Sequence, residues 1–308
     1  MRTPSPVRLL APLAAAVLLL GACSDPVAVS DDPEPTRGTD RDNRSEEPGD
    51  TDSPSEQTSE TPDSSGGVSR TVAVYYVADT DRAGPRLYRE FQRGEGEALP
   101  AAVAALTGTP LDPDYRTLWE GGQVLSASYD GEVVAVTVDP AVRSRPAGMS
   151  RAEARAAVEQ AIYTVQAAVQ ERAPVQFRTE ANPIDHVFGV PTSEPLANGE
   201  ALDVLSHVSL TSPEQGQVVD DGTLEVSGVG NSFEANLGWE VRQGGQVVDR
   251  GFVTMEGWME PKLFPFETDV DVSGLEPGDY TFWVTTDDPT GGTEGIGAMT
   301  DDRDFTIE

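Results

Sequence analysis

Apolar side chains follow four different patterns along the chain. Residues 9–20 are a nearly unbroken apolar run, LLAPLAAAVLLL, whereas residues 24–68 hold almost no large apolar side chain. Residues 69 to about 200 mix strand and helix periods, and beyond about residue 205 the alternation has period two. The third stretch opens with TVAVYYVA (71–78), apolar on both faces, which predicts a strand buried in the middle of a sheet. PRLYREFQR follows a turn at residues 81–84. Residues 99–106 read as a short helix with Pro100 in its first turn and Gly108 just past its end. QVLSASY and EVVAVTV are alternating runs on either side of Asp130-Gly131, a strong hairpin signal. Ser150-Arg151-Ala152-Glu153 is a capping box. After it, Ala154, Val158, Ala161, Ile162, Val165, Ala168 and Val169 recur at helical spacing, so a long helix should bury one face on the sheet. Pro174 stops it, and VQF (175–177) starts another strand. The order strand, strand, helix, hairpin, helix, strand describes a small α+β layer with helices on one face.

The fourth stretch reads as an all-β sandwich, with turn signals between TLEVSG, ANLGWEVRQ, QVVDRGFVTM, PFETDVDV, DYTFWVTT and DFTIE. Phe264, Phe266, Thr268, Val270 and Val272 share one side of their strand and should be core. Glu267, Asp269 and Asp271 share the other and should face water. Trp239 falls on the core side with Ala235, Leu237 and Val241. Pro277-Gly278-Asp279-Tyr280 enters its strand like a tyrosine corner, two residues before Phe282, which stands where a disulfide cysteine would be.

Composition changes the picture at the N-terminus. The run at 9–20, preceded by Arg2 and Arg8, is too short for the roughly 20 residues of a bilayer span and fits the core of an export signal. It ends at Leu20-Gly21-Ala22-Cys23, which resembles the lipobox of bacterial lipoproteins and contains the only cysteine of the chain. That resemblance implies a signal peptide over 1–22, a diacylglyceryl group on the Cys23 thiol and anchoring to the outer face of the cell membrane. Two or more acyl chains anchor stably where one does not. Residues 24–68 contain 13 acids, three arginines and six prolines, too polar to offset the entropy of ordering, and read as a disordered tether. Without the signal the chain has 19 bases against 53 acids, net −34, which argues against nucleic-acid partners. The imbalance is uneven: residues 69–200 carry 18 acids and 12 bases, residues 201–308 carry 22 and four. A basic partner surface would meet the C-terminal part first.

TVAVYYV, LTGTPLDPDYRTLW, LSASYDGEVVAVTVDP, QAIYTVQAAV and HVFGVPTSEPL together resemble the GerMN domain of sporulation and spore-germination lipoproteins, over residues 69–200. Members of that family are exported, often lipid-anchored and not known as enzymes, and their fold is similar to ring-building modules of protein assemblies. TSPEQGQVV, VSGVGNSFEANLGWEV, PFETDVDV and DDPTGG resemble the immunoglobulin-like domain of bacterial spore-germination proteins, over residues 205–308. Both resemblances imply binding or assembly without catalytic residues. The expectation is therefore an α+β GerMN domain followed by an immunoglobulin-like sandwich, behind a disordered acidic linker at 23–68.

Candidate chemistry is sparse, and no cofactor, metal or catalytic residue is expected. Asp185-His186 and His207 could be imagined in a hydrolase triad, but neither has a nucleophile-elbow context, so they read as surface or hinge histidines. GGTEGIG (291–297) lacks the Gly-Lys-Ser/Thr of a phosphate loop and reads as a mobile loop. Asp220-Asp221, Asp287-Asp288 and Asp301-Asp302 with Asp304 could collect calcium, but show no EF-hand spacing and read as solvated acidic loops. Trp258, in the loop GWMEP, and Trp283, between Phe282 and Val284, are the aromatics the sandwich pattern leaves outside its core, and are the candidate partner anchors. The plainer assignment has Trp283 packing on the preceding domain and Trp258 folding over the sandwich end. The function expected is assembly of an envelope protein complex, with a binding role for a small ligand or cell-wall glycan as the competing reading. Replacing Cys23 by Ser is expected to leave an uncleaved precursor without fatty acid; metabolic labelling and gel mobility test this, and normal processing with unchanged membrane partition would refute the lipobox.

Overall fold

The computed structural model describes residues 69–308, so the apolar run at 9–20, Cys23 and the acidic stretch at 24–68 lie outside the described residues. Strands dominate the described part, fifteen against three α-helices. β1 (Ser69–Thr80) and β2 (Gly84–Glu95) form an antiparallel ribbon, followed by α1 (Ala98–Leu106). β3 (Val124–Tyr129) and β4 (Val134–Val138) form the hairpin across Asp130-Gly131, with Gly131 at φ +95 where a residue with a side chain would be strained. α2 (Arg151–Val169) follows, then β5 (Val175–Arg178), parallel to β4. β6 (His186–Val187), β7 (Val190–Pro191) and α3 (Ala201–Val204) complete this lobe.

The apolar run of β1 does not lie in the middle of a sheet. β1 belongs to a separate two-stranded ribbon, and its two faces are buried by different helices. Val72, Val74 and Tyr76 pack on Ala101, Ala102 and Ala105 of α1, while Tyr75 and Val77 pack around Tyr163 of α2. Burial on both faces was legible in the run, but helices rather than flanking strands supply it.

Helix α2 likewise departs from the one-faced expectation. Ser150 Oγ accepts from the Glu153 N–H and Glu153 returns the bond to the Ser150 N–H, as the capping box predicts. Ala157, Val158, Ala161, Ile162 and Val165 face Val134, Val136, Val138, Val175 and Phe177 of the three-stranded sheet. Yet Gln160, Thr164 and Gln166 are also buried. Gln160 Oε1 accepts from the Leu118 N–H at 3.0 Å, Thr164 Oγ1 accepts from the Tyr75 N–H at 3.1 Å, and Gln166 Nε2 donates to the Ala173 carbonyl at 2.9 Å. Polar residues are admitted to the interior because each meets a backbone group that would otherwise go without a partner.

The C-terminal lobe is a two-sheet sandwich. β8 (Val208–Ser212), β10 (Thr223–Gly230) and β13 (Phe264–Asp271) make one sheet. The other runs in the order β12 (Gln246–Thr254), β11 (Asn236–Gln243), β14 (Gly278–Thr286), β15 (Thr300–Ile307), β9 (Gln217–Val219), with β9 parallel to β15. Phe264, Phe266, Val270 and Val272 point inward as the alternation requires. Tyr280 Oη donates to the Glu276 carbonyl at 2.7 Å, closing the tyrosine corner, and Phe282 is fully buried against Trp239. Trp239 lies so close over Gly251 that a Cβ there would fall 2.3 Å from its ring, so this glycine makes room for the indole.

The described residues, 69–308, fall in one compact unit, and the reason lies where the two lobes meet. β2 runs beside β8: the Ser206 N–H donates to the Leu87 carbonyl at 2.8 Å, and Ser209 Oγ bonds both the N–H and the carbonyl of Arg89. Beside this seam Arg303 of β15 is 4% exposed and ion-pairs with Asp112 of the first lobe and Asp301 of its own strand. Its Nη2 also donates to Tyr115 Oη at 3.1 Å, and its guanidinium lies 5.0 Å from the Tyr115 ring centre. Tyr115 Oη donates to Asp301 Oδ1 at 2.6 Å, and Asp301 Oδ2 accepts from the Leu210 N–H at 2.6 Å. The Asp301–Asp304 stretch is therefore strand, not a solvated acidic loop, and Asp301 is buried because a buried guanidinium faces it.

Arg303→Met would leave two carboxylates buried without their counter-charge, a change that typically costs about 3–5 kcal/mol. Urea unfolding followed by tryptophan fluorescence should show that loss, with the two lobes separating into distinct transitions; an unchanged midpoint would show that the network does not join them.

Candidate interaction surface

Trp258 and Trp283 occupy different surfaces of the sandwich. Trp258 lies in the β12–β13 connection, 37% exposed, edge-on to Phe233 with ring centres 5.4 Å apart. Its loop is pinned by Asn231, whose Nδ2 donates to the Glu260 and Lys262 carbonyls at 3.0 and 2.7 Å. Phe233 is held outward by an unusual turn in which Glu234 and Ala235 take φ of +55 and +59. Left-handed backbone at residues with side chains costs on the order of 1–3 kcal/mol each and clusters at functional sites. Phe233, Trp258 and the half-exposed Ile296 wall a cleft of about 350 Å³ that also contains Asp287, Asp288 and Glu294. Met259, next to Trp258 in the chain, is 81% exposed. The arrangement places an aromatic anchor inside an acidic rim, suited to an apolar side chain carried on a basic surface.

The glycine-rich stretch 291–297 forms part of that rim. Asp288 Oδ1 accepts from the Thr290 N–H at 2.9 Å and Oδ2 from the Gly292 N–H at 2.7 Å. The hydroxyl and N–H of Thr290 hold the Asp288 carboxyl below the usual carboxylate range. His207 also lines the cleft; its Nε2–H donates to the Leu202 carbonyl at 2.8 Å, and burial lowers its pKa. Asp185 and His186 lie on the other lobe, where Arg143 holds Asp185 below the ordinary carboxylate range. The structure does not bring the two histidines together. Among the described residues no three metal-ligating side chains gather at one point, and no helix is long and apolar enough to cross a membrane.

Trp283 is half-buried on the outer face of the five-stranded sheet, with the Arg242 guanidinium 4.1 Å above its ring and Arg242 paired in turn to Glu240. Its face is already occupied by a cation of its own chain, which leaves Trp258 as the freer anchor. Across the ladder from Trp283 stands Asp302. Burial, reinforced by Asp114, Asp301, Asp112 and Asp304, pushes its carboxyl up to about 7. The alternation pattern marks Trp283 as outward, but Phe233 carries no such mark, because its exposure comes from the turn at 234–235.

A carboxyl whose folded pKa lies above its unfolded value near 3.8 holds its proton better when folded. The associated stability is complete below pH 4 and lost as pH rises through about 7. Asp302→Asn should therefore flatten the decline in stability between pH 5 and 8 and raise stability at pH 8 by about 1–2 kcal/mol, discounted for partial solvation. Thermal melts across that range check the sign; parallel curves for the two proteins would reject it.

Comparison with known proteins bears mainly on this lobe. Residues 207–293 match the family model described as the immunoglobulin-like domain of bacterial spore germination, so the sandwich is an immunoglobulin-like domain of that kind. The matched segment ends before β15, the strand that carries Arg303. No curated protein matches the chain significantly. An engineered protein solved at 1.98 Å is 14% identical over 56% of this chain and 40% of its own, with a TM-score of 0.26. A modular endo-β-1,4-mannanase from Cellulomonas fimi is 16% identical over 56% of this chain and 39% of its own, with a TM-score of 0.24. The chain spans about two fifths of the length of these two structures, and likeness at that level says nothing about activity.

Proposed function

We propose that this chain is a non-enzymatic protein of a bacterial cell envelope, lipid-anchored at Cys23, that presents two joined domains for assembly of a protein complex related to spore germination. The observation that carries the reading is the family match of the sandwich at 207–293. The resemblance of residues 69–200 to the GerMN domain and the lipobox at 20–23 support it from the sequence. The buried Arg303 network supports it physically, since a presenter of two domains works best when their relative placement is fixed. The partner contact is assigned to the cleft of Trp258 and Phe233, whose acidic rim favours a basic partner surface. The same cleft could instead seat a small ligand or a sugar ring of a cell-wall glycan stacked on the indole, and this is the competing reading.

Trp258→Ala should abolish protein partners captured by crosslinking in cells while leaving the melting temperature within about 2 °C of the parent. Trp283→Ala should keep the partners and lose about 1 kcal/mol of stability with the Arg242 stacking. If the Trp258 variant keeps every partner, the cleft is not the contact. Loss of binding to isolated cell wall with protein partners intact would favour the glycan reading.

A further inference from the structure

Against the acidic character of the whole chain, four arginines converge at one place on the first lobe. Arg143, Arg145, Arg151 and Arg155 line a cleft of about 600 Å³ floored by Phe188 and Gly189. They are one third of the 12 bases of residues 69–200, in a chain of net charge −32. Arg151 and Arg155 stand one turn apart on α2, so their side chains project from neighbouring points about 5–6 Å apart. Arg143 and Arg145 approach from the segment before the helix.

The floor is rigid. The Phe188 N–H donates to the Val142 carbonyl at 2.6 Å and the Gly189 N–H to the Arg143 carbonyl at 3.1 Å, while the Phe188 ring is 1% exposed and packs 4.9 Å from Trp119. This tight turn, with Phe188 and Gly189 at φ +49 and +75, ties the arginine segment to the core.

Nothing in the folded lobe calls for three of these four charges. Arg151 and Arg155 lie in the first two turns of a 19-residue helix, where the dipole disfavours cations, and they repel each other at i, i+4. Glu153, between them, is turned away to cap Ser150 and meet Arg116. Asp185 answers Arg143 alone, and among the described residues Arg145, Arg151 and Arg155 have no acidic partner. A local rule broken without compensation is the mark of a functional site.

We infer that this cleft binds a compact, multiply charged phosphate ligand, an oligophosphate or phosphodiester group. Guanidinium forks match phosphate oxygens in pairs. The cleft volume of about 600 Å³ falls within the range of small-ligand sites. An extended acidic peptide presents same-face carboxylates only every two residues, about 7 Å apart, so four of them would need roughly 20 Å. A short phosphate chain delivers the same charge within the cleft. The site lies on the other lobe from Trp258, and neither assignment depends on the other.

Titration calorimetry of the full chain in detergent, with tripolyphosphate as the probe, should give micromolar binding at low salt, weakened several-fold by added sodium chloride. Arg151→Gln with Arg155→Gln should weaken it at least tenfold. Arg145→Gln, in the loop, should act in the same direction without touching the helix. Arg93→Gln, an exposed arginine of β2, should leave it unchanged. Absence of binding, or equal losses from the Arg93 variant, would overturn the site, and tighter binding of hexaglutamate than of tripolyphosphate would overturn its assignment to phosphate.

Discussion

The relation between the two lobes depends on one buried guanidinium. Arg303 meets Asp112 from the first lobe and Asp301 from its own strand, and Tyr115 bridges it to Asp301. A buried charge is costly unless its partners are close and its remaining donors are satisfied. Here the partners come from both lobes, so separating them would expose or orphan charges on both sides. Geometry follows from this: Leu210 N–H is tied to Asp301, β8 lies against β2, and Glu90 accepts from the N–H groups of Leu111 and Asp112 to hold the facing loop. The ion network fixes register, because a guanidinium satisfied in several directions tolerates little sliding.

The same economy recurs inside the first lobe. α2 is packed between the ribbon and the three-stranded sheet, and its buried Gln160, Thr164 and Gln166 each complete a backbone hydrogen bond of a neighbouring segment. The helix thus acts as a central post to which non-repetitive chain is fastened. Trp119 is fastened in the same way, with Nε1 donating to the Ala157 carbonyl at 2.8 Å. The stretch 112–123 touches β1 through a single bridge between Arg116 and Val77, and gains the rest of its defined place through these side chains.

Charge is distributed over this frame with consequence. The sandwich, with 22 acids and four bases over residues 201–308, places an aromatic pair in an acidic concavity at one end. The first lobe collects arginines around the start of α2. Two surfaces of opposite sign, on lobes locked by Arg303, give the molecule two chemically distinct faces. An anion and a basic partner would each find one of them and be repelled from the other.

By itself the sequence determined whatever is governed by neighbours along the chain. The capping box at Ser150, the hairpin at Asp130-Gly131, the inward row from Phe264 to Val272 and the corner at Tyr280 all formed as read, since each rests on periodicity or on a bond spanning a few residues. The same locality explains what was misread: TVAVYYVA declared two buried faces but could not say that helices bury them, and the acids at 301–304 gave no sign of an arginine partner network reaching a residue 191 positions away. RSRPAGMSRAEAR is visibly basic, yet whether its arginines splay or converge is decided by the Phe188 turn bonded to Val142 and Arg143. Tertiary structure alone settled which polar residues are interior, because burial of a charge or an amide is a property of the partners that surround it, and those partners come from distant chain.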